Sequence, residues 1–161
     1  MPVRIRIAVI GAGDCTAEEA RAAEAVGRAV ASRGAVLLTG GLGGVMAAAS
    51  RGAHEAGGLV VGILPGGRAA DANPWVDVPI VTGLGDARNV IVAGSADAVI
   101  AVGGRLGTLS EIAFALKRGI PVVGLGTWSL DAARTGGAGV VRASDPDEAA
   151  AKAFGAVDPG A

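Results

Sequence analysis

The 161-residue chain contains no tyrosine, one cysteine, one histidine, two tryptophans and two phenylalanines. The lone cysteine, Cys15, excludes an intrachain disulfide. The lone histidine, His54, has no Cys/His cluster around it in the sequence, so we expect no metal site. So few aromatic side chains do not make a platform on which nucleic-acid bases stack. The formal net charge of −1 provides no basic surface for nucleic acid, which we therefore do not expect as a partner.

Long uninterrupted apolar runs are also missing, although 51% of the residues are hydrophobic. Glycine and charged residues break each apolar stretch before it reaches the length that crosses a bilayer, so we expect no membrane partner. Because the predicted first strand begins within a few residues of the start of the sequence, we expect no signal peptide. A cytoplasmic protein is the expectation that follows.

Short β-branched runs alternate with segments of helical periodicity along the chain. The predicted strands span residues 4–10, 35–38, 59–64, 98–102 and 121–125, with short extended pieces at 79–81 and 140–141. The predicted helices span residues 16–32, 45–56, 86–95 and 145–154, and another opens at Thr108. This alternation indicates βαβ units. We predict one Rossmann-like α/β domain over residues 1–161, a three-layer doubly wound parallel sheet, with residues 155–161 as a frayed tail.

Glycine-rich turns follow three of the predicted strands. Because the carboxyl ends of parallel strands share one edge of a sheet, we expect these turns to lie together where such folds bind ligands. Glycine lets the backbone approach a phosphate, and N–H groups at a helix N-terminus favour an anion. The predicted phosphate-binding residues are Gly11, Gly13, Thr39, Gly40, Gly41, Gly43, Gly44, Gly103, Gly104, Gly107 and Thr108.

The same turns argue against the common nucleotide motifs. Gly11 and Gly13 are not followed by the third glycine of a dinucleotide fingerprint, and the second strand does not end in an acidic residue, so NAD is not expected. Residues 39–44 lack the Gly-Lys-Ser/Thr ending of a P-loop, which argues against hydrolysis of nucleoside triphosphates. The two lysines, Lys117 and Lys152, fall on predicted helix surfaces, which disfavours Schiff-base chemistry.

Two charged residues are candidates for chemistry. Glu111 either completes a capping box with Thr108 or presents its carboxylate to a ribose or a water molecule. Arg88 falls in the first turn of a predicted helix, where a cation is mildly unfavourable, so it either binds an anionic ligand or lies on a solvated face.

Trp75 either covers a flat ring or fills an apolar gap. Cys15 is interpreted as a buried small residue rather than a thiol with a lowered pKa.

Residues 103–111, Gly-Gly-Arg-Leu-Gly-Thr-Leu-Ser-Glu, resemble the signature Pro-Gly-Gly-x-Gly-Thr-x-x-Glu, with Val102 in place of the proline. That signature belongs to a superfamily that includes the Lonely Guy phosphoribohydrolases, often mislabelled lysine decarboxylases, and the molybdenum cofactor carrier proteins. Residues 38–46 are similar to its first glycine loop, Gly62-Ile-Leu-Pro65 to its third strand end, and Arg88 to its upstream arginine. The similarity spans residues 5–126.

The resemblance implies two functions. In the phosphoribohydrolases the matching arginine and glutamate cleave the N-glycosidic bond of nucleoside 5′-monophosphates, so Arg88 and Glu111 would be catalytic if this chain is an enzyme. Residues 82–88 and 101–104 are more similar to the carriers, which bind a phosphorylated pterin without turning it over.

We therefore predict binding of a phosphorylated nucleotide-like or pterin-like ligand, such as molybdenum cofactor, with no other required cofactor. The predicted assembly is a homodimer or a larger homo-oligomer. Phosphoribohydrolase activity is the alternative, and lysine decarboxylation is not expected. DNA binding, as in the distantly related recombination mediators, fits poorly with the net charge of −1.

Overall fold

The structure is a computed structural model that describes residues 3–157. In these residues a seven-stranded sheet forms the centre, and every neighbouring pair of strands is parallel. The strands are β1 (Arg6–Gly11), β2 (Val36–Thr39), β3 (Val60–Leu64), β4 (Val78–Val81), β5 (Ala98–Val102), β6 (Val122–Leu125) and β7 (Val140–Arg142). The inner strands are continuous apolar runs because helices cover both of their faces.

Helices pack on both faces of the sheet. They are α1 (Ala17–Ser32), α2 (Val45–Glu55), α3 (Asn89–Gly94), α4 (Leu106–Lys117) and α5 (Pro146–Ala156), with 3₁₀ turns at Ala69–Asp71 and Gly85–Arg88. One apolar core lies between the sheet and α1, α2 and α5, and a second lies between the sheet and α3 and α4. The predicted three-layer, doubly wound parallel α/β fold is therefore confirmed.

The order of the strands changes direction beside β1. Across the sheet the order is β4-β3-β2-β1-β5-β6-β7, so the chain builds one half outward from β1 and then returns to add β5 on the other side. Ile7 pairs with Ala98 and Gly11 with Val102, so β1 and β5 end at the same level. Their outgoing turns lead in opposite directions and leave a crevice at the carboxyl edge, which is the ligand-binding position of open α/β sheets.

Of the two predicted capping boxes, the structure contains the one at α1 and lacks the one at α4. The capping box at α1 is present, since Glu19 N donates to Thr16 Oγ1 at 3.1 Å and Thr16 N donates to Glu19 Oε2 at 2.8 Å. The predicted box of Thr108 and Glu111 is wrong, because α4 begins at Leu106 and Arg105 is its N-cap. Leu109 N already donates to Arg105 O at 2.9 Å, which places Thr108 inside the first turn.

Two further boundaries differ from the prediction. The segment predicted as one helix over 86–95 is a 3₁₀ turn at Gly85–Arg88 followed by the short α3. Residues 155 and 156, predicted as part of a frayed tail, belong to α5, and residues 158–161 of that predicted tail lie outside the described residues. Within residues 3–157 no helix has the length and apolar character needed to span a bilayer.

Candidate functional site

A cleft with a volume of about 280 Å³ opens at the carboxyl edge of the sheet, at the switch between β1 and β5. Four pieces of the chain line it. The turn after β1 contributes residues 10–14, the region after β2 contributes Gly40 and Met46, and residues 86, 88 and 89 come from the 3₁₀ turn and the start of α3. Arg105 and residues 107, 108 and 111 come from the start of α4. Each piece follows a strand or opens a helix, so the topology brings them together.

The cleft gathers part of the predicted site. The predicted residues that line it are Gly11, Gly13, Gly40, Arg88, Gly107, Thr108 and Glu111. The predicted residues that do not line it are Thr39, Gly41, Gly43, Gly44, Gly103 and Gly104. Several of the second group have a local structural role that explains the residue type.

Glycines outside the lining shape the turns that form the cleft. Gly44 has a φ of +62°, and a Cβ there would lie 2.2 Å from Ala12 O, so only glycine lets α2 start against the first turn. Gly103 has a φ of +55° and lies against the Glu19 carboxylate. Thr39 is fully buried, and its hydroxyl accepts a hydrogen bond from Gly41 N at 3.5 Å.

Arg88 and Glu111 form a buried pair of opposite charge inside the cleft. Their exposed fractions are 8% and 6%, and Arg88 Nη1 lies 3.9 Å from Glu111 Oε1, which is too long for a hydrogen bond. Arg88 Nε is buried without a hydrogen-bond partner in the part of the chain that the structure describes. A Cβ at residue 40 would lie 2.4 Å from Arg88 Nη1, so Gly40 makes room for the guanidinium. The sequence alternative of a solvated Arg88 is therefore wrong.

Burial controls the ionisation of this pair. It raises the pKa of Glu111 from 4.5 to about 7, and the attraction of Arg88 opposes this only in part. Burial also lowers the pKa of Arg88 from its ordinary value, while Glu111 and Asp86 act in the opposite direction. Near pH 7 both the protonated and the ionised form of the Glu111 carboxyl are therefore populated, which suits a group used in general acid–base chemistry.

The start of α4 offers free N–H groups to the cleft. Among residues 3–157 no side chain caps this helix, and its first turn has no acidic residue, so the first amides lack the partners that Thr16 and Glu19 provide at α1. Gly107 and Thr108 of this turn line the cleft. Unsatisfied amides and the positive end of the helix dipole together favour an anion here.

Sequence reasoning did not select several charged or polar lining residues. Asp14 and Arg105 lie within or beside the predicted glycine turns, and Asn89 is adjacent to Arg88. Their position next to predicted site residues is the only sequence signal that could have identified them. Asn89 Nδ2 donates to Ser110 Oγ at 3.2 Å, which links α3 to α4 at the rim.

The alignment to the superfamily signature also needs a correction. Two residues, Arg105 and Leu106, separate the glycine pair from Gly107, where the signature has one residue. Aligned on Gly107, Thr108 and Glu111, the signature proline falls on Gly103 rather than on Val102, and its second glycine falls on Arg105.

Trp75 and Cys15 do not line the cleft. The Trp75 ring lies 5.8 Å from the His54 ring, and Arg51 Cζ lies 5.9 Å from the Trp75 ring centroid, so the indole packs on α2. Cys15 is half-buried against the core. Burial, Glu19 and Asp14 raise the pKa of its thiol, which agrees with a packing residue and not with an activated nucleophile.

Comparison with known proteins gives the family. The model of the SLOG cluster4 family matches residues 4–150. The chain belongs to the SLOG cluster4 family. An uncharacterized protein from Archaeoglobus fulgidus is 53% identical to it over 122 residues, which are 75% of this chain and 80% of the archaeal protein.

Solved structures resemble this SLOG cluster4 chain over nearly its whole length. The molybdenum cofactor binding protein from Rippkaea orientalis is 40% identical, with 95% of this chain and 97% of that chain covered and a TM-score of 0.87. The molybdenum cofactor carrier protein from Chlamydomonas reinhardtii is 39% identical, with 95% and 98% covered and a TM-score of 0.86. The predicted similarity to the carrier proteins is confirmed, and the predicted superfamily relationship to the Lonely Guy enzymes stays a prediction.

Proposed function

We propose that this chain is a carrier that binds a phosphorylated pterin-like ligand, of the molybdenum cofactor type, or a nucleotide of similar form, in the cleft at the strand switch. One observation carries the proposal. The start of α4, which no side chain caps within residues 3–157, lines the same cleft as the buried Arg88, whose Nε has no partner in those residues. Buried polar groups are normally satisfied, so an unpaired donor on a side chain that lines a cleft favours a ligand acceptor beside it. The names of two solved relatives, which bind or carry molybdenum cofactor, add support.

The residues present fit the chemistry of such a ligand. The amides of the first α4 turn, including those of Gly107 and Thr108, would receive the phosphate. Arg88 would donate to an oxygen of the ligand, while Gly13 and Gly107 add no side chain to the cleft wall and would leave room for a flat ring. When bound, the cofactor would supply a metal held by the pterin, and this chain's contribution is binding and shielding.

A second candidate function is hydrolysis of nucleoside 5′-monophosphates, which the state of Glu111 favours. A carboxyl with a pKa of about 7 beside an arginine is suited to proton transfer near neutral pH. In this reaction a water oxygen bonds to the anomeric carbon as the bond from that carbon to the base nitrogen breaks. Glu111 would accept the proton of the water and pass it to the nitrogen of the departing base, so one water is consumed and the free base and ribose 5-phosphate are released.

The test combines ligand identification with an activity assay. Protein purified without phosphate buffer is denatured, and the released small molecules are analysed by mass spectrometry. The folded protein is incubated with a panel of nucleoside monophosphates and assayed for free base. Glu18→Gln, which removes an exposed carboxylate on α1, is the control for Glu111→Gln.

A phosphorylated pterin in the extract, with no base released, supports the carrier. Base release that disappears in Glu111→Gln and persists in Glu18→Gln supports the hydrolase. A protein that retains no phosphorylated molecule, binds none of the panel and releases no base would contradict both. The cytoplasmic location and the absence of a nucleic-acid partner stay predictions.

A further inference from the structure

We propose, on the basis of the proposed function, that Arg105 binds the ligand's phosphate at the mouth of the cleft and gives the site its preference for a terminal phosphate monoester. Arg105 lines the cleft, is exposed, and is the N-cap of α4. Arginine presents a planar fork of donors that matches phosphate oxygens, and it stays charged at physiological pH.

The backbone at Arg105 is fixed while its side chain remains exposed. Gly103 and Gly104 have φ values of +55° and +103°, which turn the chain sharply before Arg105. The Arg105 carbonyl accepts hydrogen bonds from Trp128 Nε1 at 3.1 Å and from Leu109 N at 2.9 Å. The start of the side chain is thus held at the rim of the cleft, next to the N–H groups that would receive a phosphate.

The charge of Arg105 has no carboxylate partner in the part of the chain that the structure describes. Within residues 3–157 no carboxylate oxygen lies within 4.0 Å of its guanidinium. A cation at a helix N-terminus opposes the helix dipole, so an anionic ligand would relieve this unfavourable arrangement.

Because the cleft also contains carboxyl groups, the positive charge of Arg105 matters for the binding of an anionic ligand. Asp14, Asp86 and Glu111 line the cleft together with Arg88 and Arg105. Without Arg105, three carboxyl groups would face a single guanidinium, and a phosphate dianion would meet a lining of its own sign. The buried Arg88, 8% exposed and with an unpartnered Nε, is the independent sign that a ligand completes this cleft.

The test uses pairs of probes that differ only by a phosphate. Flavin mononucleotide and riboflavin share a ring system that contains a pteridine, and AMP and adenosine are the nucleotide pair. Dissociation constants are measured for the wild type, Arg105→Ala, Arg105→Lys and Arg118→Ala in low-salt buffer without phosphate. Arg118 is a matched control because it is the C-cap of α4, about 20 Å away at the opposite end of the same helix.

In the wild type we expect the phosphorylated member of at least one pair to bind about tenfold or more tightly. Arg105→Ala should lower that ratio about tenfold and leave binding of the unphosphorylated member unchanged, with Arg105→Lys between the two and Arg118→Ala equal to the wild type. A ratio that Arg105→Ala does not change overturns the role of Arg105 and leaves the proposed function standing. A wild type that prefers neither phosphorylated probe also overturns the role of Arg105, whereas the proposed function is decided separately by the retained ligand and the base-release assay.

Discussion

Burial changes what Glu111 does at neutral pH. An exposed glutamate is fully ionised there, whereas this carboxyl lies beside Arg88 with little solvent and has a pKa of about 7. Arg88 stabilises the charged form, but the 3.9 Å separation and the missing hydrogen bond leave that stabilisation incomplete. A ligand that binds Arg88 therefore also changes the environment of Glu111, so the two residues act as a unit.

The raised pKa of Glu111 predicts a pH-dependent stability. Because the folded protein holds a proton that the unfolded chain releases near pH 4.5, the free energy of unfolding should fall as pH rises from about 4.5 to about 7, and then level off. Glu111→Gln should remove this contribution, so the free energy of unfolding of the variant minus that of the wild type should increase as pH rises across that interval. Urea denaturation from pH 4.5 to 8 measures it, and an equal difference at both ends would contradict the raised pKa.

The helix starts show what local sequence can and cannot predict. At α1, Thr16 and Glu19 cap the first amides of the helix with their own side chains and backbone, so the capping box depends only on local residues and could be predicted from the sequence. At α4 the same spacing, Thr108 and Glu111, is interpreted wrongly because the turn after β5 starts the helix at Leu106. The position of that start depends on the preceding glycine turn and on packing against the sheet, and both are tertiary properties.

At α1 we expect a measurable contribution from the cap. Thr16→Ala should lower the free energy of unfolding by about 1 kcal/mol, because the Glu19 amide loses its acceptor. Thr16→Ser keeps the hydroxyl oxygen and is the control, with stability close to the wild type. Chemical denaturation of the three proteins measures the difference, and an alanine variant as stable as the serine variant would show that the cap contributes nothing.

At the scale of the whole molecule, the strand order explains why part of the site was predictable. The three glycine-rich turns predicted to bind phosphate each follow a parallel strand, so their shared edge could be inferred from the alternation of elements alone. Which turns converge depends on the β1–β5 switch, which no local pattern encodes. Gly41 follows β2 but lies against Leu64 of β3, away from the switch, whereas Arg105 reaches the cleft because α4 starts beside it.

The outer surface of α3 and α4 carries the prediction about assembly. These two helices pack side by side, and Ile91 on α3 and Phe114 on α4 are 36% and 38% exposed. If these side chains belong to one continuous apolar patch, a second copy of the chain is a natural cover for it. We therefore expect a homodimer or larger homo-oligomer in which this surface is buried.

The double variant Ile91→Glu and Phe114→Glu should dissociate that assembly, because burying two carboxylates without partners is strongly unfavourable. Light scattering coupled to gel filtration measures the mass, and circular dichroism checks that the fold is retained. Val3→Glu is the control, since Val3 is 84% exposed and precedes β1 outside both helices. A wild type of monomeric mass, or a folded double variant with the mass of the wild-type oligomer, would exclude this surface as the interface. A protein that changes mass only in the double variant would identify α3 and α4 as the contact between copies.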